Sequence, residues 1–386
     1  MFKIIYASFF LSLISVFINI QGIYIIFFLL FIFFSLFDVI YKFYYSSKYI
    51  IAATLFLTVL IILISSMSSS MIFLTDGISE QGYYFSKYVI NYLFLLSWII
   101  WFSTLPIIQK NMLFNHLFYC LFGLLFLNFL QFIYSFFSTE MYKLLATGVS
   151  NSSQSKIIGT SEIFIGHNNK NIWASKTTLF TIIFISLLYR MDNLKIINKY
   201  KLPIAIIFLV PSLLFFSRTS QVSILLFIII FTIQNFRVYS SIFLFLLIAI
   251  SLPFLLENYF FINFDSYDLD GFSTRLLLWK FFIDNYSFSL IGNGIGSSAV
   301  FLLNEGFIVD NFHNIFFNIY WDAGFIGLIA FITFVFFTTN INLSLLVPFL
   351  VVTSSQYLGY DNDLILYLAM SSVVVFSKNY NLRVKS

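Results

Sequence analysis

The chain has 386 residues, 60% of them hydrophobic and only 9% charged, with a formal net charge of +4 and a mean hydropathy of +0.96. A soluble chain carries about 25% charged residues. The composition therefore excludes two or three water-soluble globular domains and predicts one multi-spanning membrane protein. The single cysteine, Cys120, lies in an apolar run, which excludes an internal disulfide or a cysteine metal cluster.

A membrane span needs about 20 mostly apolar residues. In chain order, such runs lie at roughly 4–20, 22–41, 50–68, 87–108, 113–137, 171–190, 203–216, 220–234, 238–256, 312–338, 341–357 and 363–377. The predicted fold is all-α: a polytopic integral membrane protein of about twelve transmembrane helices. Lys3 and the apolar run after it mimic a signal peptide, but no small-residue cleavage site follows, so a retained first helix is expected. Ser217-Arg218-Thr219 separates two short runs, as a tight turn or as a break in one bent pair. Three regions follow: N-terminal spans over 1–150, a central region over 151–340, and C-terminal spans with a cytoplasmic tail over 341–386.

Charge sets the orientation. With a cytoplasmic N-terminus, the inner side holds Lys3, Lys42, Lys48, Lys110, Arg190, Lys195, Lys199, Lys201, Arg237, Lys378, Arg383 and Lys385, against Asp38 and Asp192 alone. Those are twelve of the 20 basic residues and two of the 16 acids. This is the asymmetry of the positive-inside rule, and it places both termini in the cytoplasm. Two outer loops are then much longer than the rest, at about 138–170 and 257–311, the second just before the tenth span. Long polar loops in a compact membrane protein are candidate working surfaces.

The residues able to do chemistry gather at these loops. His313 stands where the tenth span begins. On one continuous helix, Phe317, Tyr320, Gly324 and Gly327 fall within about 40° of it, and the glycines invite close approach by a neighbouring helix. Asp322 faces the other way, with Asn318 one turn above. An acid at that depth needs a partner or a wet cavity. His313 reads either as an interfacial polar cap or as a general base for a sugar hydroxyl. Arg218 and Arg275 read either as headgroup anchors or as bidentate partners of a diphosphate. "LIGNGIGSS" carries Gly292, Gly294 and Gly296, a flexible bend or a turn whose N–H groups meet a phosphate. The D-x-D pairs Asp268/Asp270 and Asp361/Asp363 are expected to be solvated loop acids.

"HNIFFNIYWDAGFIG" fits H-[N/S/Q]-x9-G-x-x-G through His313, Asn314, Gly324 and Gly327, a signature of bacterial O-antigen ligases. "RLLLW" (Arg275 to Trp279) and "GNGIG" precede it, in an order that resembles the shared domain of O-antigen ligases and related polymerases. Upstream, "FSRTSQ" resembles the family's Ser-Arg element, and "GHNNKNIWA" its Lys-Asn element, with Lys170 and Asn171. The resemblance covers about residues 160–330. It implies a metal-independent, inverting glycosyl transfer with no cofactor, at the periplasmic face of the bacterial inner membrane. His313 would be the base, and Arg218 and Arg275 would bind the donor diphosphate. Asn314, Asp322, Gly324, Gly327, Lys170, Asn171, Gly292 and Gly294 would be supporting residues. The donor would be a glycan on undecaprenyl diphosphate, and the acceptor lipid A–core, as for an O-antigen ligase joining O-antigen to lipopolysaccharide. A polymerase extending lipid-linked repeat units shares every one of these features. A glycolipid transporter or flippase is a more distant alternative. No nucleic acid partner is expected.

The orientation is open to a direct test in a cysteine-free background. Cysteines placed at Ser152 and Asp268 should react with an impermeant thiol reagent in intact cells, and one at Lys199 should not. Labelling at Lys199 would reverse the topology.

Overall fold

The structure is a computed structural model that describes residues 1–18, 22–43, 78–138, 170–191, 195–214, 217–235, 271–307, 311–356 and 361–384. Among these residues there are twelve helices and no strand. They are α1 (Phe2–Ile18), α2 (Ile23–Phe43), α3 (Ile78–Thr104), α4 (Ile107–Ser138), α5 (Lys170–Leu188) and α6 (Lys195–Leu214). They continue as α7 (Arg218–Asn235), α8 (Gly271–Asp284), α9 (Ser297–Asn304), α10 (Ile315–Thr339), α11 (Leu343–Gln356) and α12 (Asn362–Val384). The described residues form an all-helical fold. The predicted spans 50–68 and 238–256 lie outside the described residues, and the other ten fall on α1–α7 and α10–α12. The remaining two helices, α8 and α9, fold inside the segment predicted as the last long loop.

Several boundaries differ from the sequence reading: α3 begins at Ile78 and α12 runs to Val384, both beyond their apolar runs, and a proline sets another limit. The fourth and fifth spans were expected at 87–108 and 113–137, yet the break falls at Leu105–Pro106. Proline disfavours helical backbone in the residue before it. It suits a helix start, and here the Pro106 carbonyl accepts from Lys110 N at 3.1 Å. Conversely α6 runs from Lys195, eight residues earlier than expected, and contains both Pro203 and Pro211. The α6–α7 corner is tight: the Gln221 side-chain amide donates to Leu213 O at 2.7 Å, and Gln221 N donates to Ser217 O at 3.0 Å.

By length and composition, Ile107–Tyr134 of α4 and all of α10 can each cross a membrane, and six further helices are apolar but shorter. Outward-facing Ile26, Phe33, Ile108, Leu127 and Phe337 stay exposed, as lipid-facing side chains do. This is a membrane protein. Its interior is aromatic where α1, α2 and α3 meet: Phe28 stacks on Phe94 at 3.9 Å and Phe9 on Trp98 at 4.2 Å. Such pairs add about 0.5–1.5 kcal/mol beyond the area they bury. The central helix is α5, buried from Trp173 to Leu188. Its Ser175, Thr177, Thr178 and Thr181 are small enough to let α7, α11 and α12 pack closely.

Two contacts with one sequence offset fix the direction of α3 against α12. Lys87 Nζ meets Asp361 Oδ1 at 2.6 Å, and Trp98 Nε1 donates to Ser372 Oγ at 2.9 Å, both 274 residues apart. A constant offset over eleven residues means parallel helices in register for about 16 Å. Lys176 of α5, also buried, donates to Val16 O at 2.8 Å. That carbonyl belongs to the last turn of α1, where a cation meets the negative end of the helix dipole.

The Lys87–Asp361 pair is partly buried, with side chains 14% and 17% exposed, and leaving one such group without its partner costs about 1–3 kcal/mol. Asp361→Ala should therefore lower the thermal midpoint in detergent, whereas Lys87→Met with Asp361→Leu should recover most of the loss. Equal losses in the single and double variants would remove the ion pair from the account of stability.

Candidate active site

Around His313 the chain is held almost atom by atom. His313 does not sit on the helix: it precedes α10 with a left-handed backbone, φ 50°. Histidine tolerates this region better than most residues, but such a backbone still costs about 1–3 kcal/mol and persists only where its surroundings fix it. Asn314 is the N-cap, its Oδ1 accepting from Phe316 N at 3.0 Å and Phe317 N at 3.4 Å. Asparagine is among the best N-caps. The Asn of the histidine signature thus has a structural duty: it starts the helix and leaves His313 just outside. On the other side His313 N donates to Asn311 Oδ1 at 2.8 Å. Phe312 N donates to Asn318 Oδ1 at 2.9 Å, and Phe312 O accepts from Trp279 Nε1 at 3.1 Å. The Phe312 ring is fully buried among Leu278, Phe282 and Leu302, so α8 and α9 clasp the residue next to the histidine.

The expected single helix face carrying His313, Gly324 and Gly327 does not form. Gly324 has φ 68° and ψ −167°, which breaks α10 into halves at 315–323 and 325–339. That backbone is open essentially to glycine alone. A break inside a membrane helix strands backbone N–H and C=O groups. The loop between α8 and α9 receives them. Phe325 N donates to Ser289 O at 3.0 Å and Ile326 N to Leu290 O at 3.2 Å. In return Asn293 N donates to Trp321 O at 2.8 Å and Gly294 N to Asp322 O at 2.9 Å. The two backbones lie too close for side chains: a Cβ at Gly292 would stand 2.6 Å from the Asp322 carbonyl carbon and oxygen, and closer still to Gly324 N. Glycines do invite close approach here, but by a loop and not by a helix.

Asp322 now has a partner. Its carboxylate accepts from Gly296 N at 3.0 Å, Ser298 N at 2.9 Å and Ser297 Oγ at 3.2 Å. It therefore caps α9, whose own N-cap, Gly296, has no side chain to do so. The same bonds bear on the phosphate reading of the glycine loop. The N–H groups of Gly292, Asn293, Gly294 and Gly296 all point inward, Gly292 N to Ser289 Oγ at 2.9 Å. The loop is a docking element for α10. Tyr320 also holds it, its hydroxyl donating to Ser287 O at 3.0 Å and accepting from Ser289 N at 2.9 Å.

Arg275 is half-buried on α8, one turn before Trp279, so the helix that carries it also grips Phe312. Arg218 is the first residue of α7, and Lys170 and Asn171 open α5; their side chains lie outside the described residues. The structure thus joins His313, Asn314, Asp322, Gly292, Gly294 and Gly324 with the helix of Arg275. It does not describe how the other three side chains meet them. Gly327 packs on Ala323 within α10.

A second expectation is overturned. Asp361 and Asp363 are not solvated: Asp363 is 3% exposed and Asp361 is paired with Lys87. Both acids also act electrostatically on Lys176. Asp268 and Asp270 lie outside the described residues. The sequence reading singled out neither Asn311 nor any role for Trp279 and Tyr320. The signal for Asn311 was present in "DNFHNIFFN", where closely spaced asparagines offer caps and Asx turns.

Gly324→Ala should destabilise by about 3 kcal/mol or more, from backbone strain and from collision with the loop. Gly123→Ala, where a Cβ meets open space, should be neutral or stabilising by up to about 1 kcal/mol. Detergent-extracted yield and thermal midpoint report the contrast, and equal behaviour of the two variants would refute the docking account.

Residues 203–332, about a third of the chain, match the family model described as O-antigen ligase. No curated protein matches the chain. The matched segment begins inside α6 and ends inside α10. It therefore contains Arg218, Arg275, the glycine loop, His313 and the break at Gly324. Members of this family are glycosyltransferase-like enzymes whose substrates are lipid-linked glycans in a membrane. Over that segment the chain is similar to the O-antigen ligase family.

Proposed function

We propose that this protein transfers a glycan from undecaprenyl diphosphate to a hydroxyl acceptor at the periplasmic face of the bacterial inner membrane, joining O-antigen to lipid A–core. One observation carries the reading. The family match falls on the segment in which a histidine is held in a strained backbone, outside a helix end, by caps and by an arginine-bearing helix. Strain held so firmly is a pointer to function. Because the helix starts at Asn314, the imidazole is left at the end of the bundle and not within a helix wall.

In this reading His313 takes the proton of the acceptor hydroxyl as that oxygen attacks the anomeric carbon of the donor. The bond from that carbon to the diphosphate oxygen breaks, with inversion. Arg218 and Arg275 take up the charge developing on the departing undecaprenyl diphosphate, each in a bidentate fork. Asp322 and the paired glycines hold the arginine-bearing helix against the histidine and touch neither substrate. No metal ion or other cofactor takes part. A transporter would use the ends of a broken helix for its cargo. Here the loop's own backbone meets the ends freed at Gly324, which favours the enzyme over the transporter.

General-base assistance is worth about 10²–10⁴-fold. His313→Ala should lose that much transfer in a reconstituted assay with undecaprenyl-diphosphate glycan and lipid A–core, with a thermal midpoint lowered only slightly, since alanine suits the left-handed backbone less well than histidine. Arg218→Lys and Arg275→Lys should fail nearly as badly as the alanine variants, because lysine has no fork. Near-normal turnover by the His313 variant would end this mechanism. The acceptor is decided in the deletion strain: bare core on a lipopolysaccharide gel supports the ligase, and core carrying a single repeat unit supports the polymerase.

A further inference from the structure

The sequence reads residues 257–311 as an aqueous loop, yet part of it is tied to a membrane span well below the span's upper end. The bonds from Phe325 N and Ile326 N to Ser289 O and Leu290 O fix the level of that part on α10. At 1.5 Å per residue, the 25 residues of α10 are about 37 Å long, more than the roughly 30 Å of a hydrocarbon core. The lower end is marked by Thr338, Thr339, Asn340 and Asn342. Counting about 20 residues up from Thr339 puts the upper edge of the hydrocarbon near Tyr320. Phe325 and Ile326 then lie about 8–9 Å inside it, and the loop lies there with them.

The side chains of the loop agree with that level. Phe288, Leu290 and Ile291 are 67%, 53% and 43% exposed. They continue the exposed stripe of α10, since the Phe288 ring lies 6.1 Å from that of Phe325, itself 42% exposed. Part of the loop backbone is satisfied within the protein, as lipid surroundings demand. Ser289, Leu290, Gly292, Asn293 and Gly294 turn polar main-chain groups inward, onto α10 or onto the loop itself. The polar side chains of Asp284 and Asn285 come just before, at the end of α8.

We infer that residues 286–291 form a membrane-inserted loop, with Phe288, Leu290 and Ile291 covered by lipid acyl chains. The insertion, about 5–10 Å below the headgroups, is that of interfacial anchors. It does not depend on the proposed reaction. Its consequence for any chemistry at this end of the bundle is geometric: α8, with Arg275, is anchored at the headgroup level from its own C-terminal side.

The test uses the full chain, with Cys120 replaced by serine, at one copy per lipid nanodisc. Single cysteines at Phe288, Leu290 and Glu305 carry an environment-sensitive NBD label. Glu305, exposed in the turn after α9, is the reference. Labels at 288 and 290 should emit to the blue of the label at 305, and lipids brominated high on the acyl chain should quench them severalfold more. Water-like emission at 288 and 290, or quenching no stronger than at 305, would overturn the inference. So would blue emission that bromolipids leave untouched and that appears only with two copies per disc, since a second protomer would then be the cover.

Discussion

At Gly324 the helix that enters beside His313 stops being a helix, and four backbone groups lose their partners within a segment built to lie in lipid. In hydrocarbon an unsatisfied peptide group costs several kcal/mol. The break therefore exists only because the loop between α8 and α9 brings two carbonyls and two N–H groups to meet it. That exchange needs backbone against backbone, so it needs glycine on both sides, Gly292 and Gly324. Asp322 completes it from the same stretch of α10 by capping α9. A stranded turn, a bare helix N-terminus and a buried acid are each unfavourable alone. Together they satisfy one another.

From this junction the geometry of the candidate site follows. The docked loop fixes α9 and the C-terminal end of α8, and α8 in turn grips Phe312 through Trp279 and the packing of Leu278 and Phe282. His313 inherits its place from Phe312 on one side and the Asn314 cap on the other. Its left-handed backbone is tolerable because four hydrogen-bonded anchors, Asn311, Asn314, Asn318 and Trp279, surround it. The helix of Arg275 and the turn of His313 are thus one mechanical unit, although 38 residues of sequence separate the two side chains.

Much of the fold was legible because lipid imposes one strong rule on sequence. Apolar runs marked ten helices, and their ends were misjudged by up to nine residues where polar turns carry a helix past its apolar run, as at Ile78, Lys195 and Val384, or where proline sets the limit, as at Pro106. Within the site, the histidine signature and the two arginines stood out as residue types whose chemistry is unusual in so apolar a chain. Helical periodicity then misled. It placed His313, Gly324 and Gly327 on one face because it assumed a continuous helix, and a glycine that leaves the helix destroys that register. The acids at 361 and 363 were misread for a related reason. Hydropathy sees a polar interruption between spans, whereas Lys87, 274 residues away, gives Asp361 a partly buried partner.

The sequence by itself determined the environment, the helical class and the short list of reactive side chains, since each depends on composition and on spacing along one segment. Only the tertiary structure decided what Asp322, Asn314 and the glycines are for. Their partners are a helix N-terminus, a turn and a loop backbone, and main-chain groups leave no mark in a sequence. Which carbonyl meets which N–H across a break depends on how separate segments pack, and no pattern within either segment encodes it.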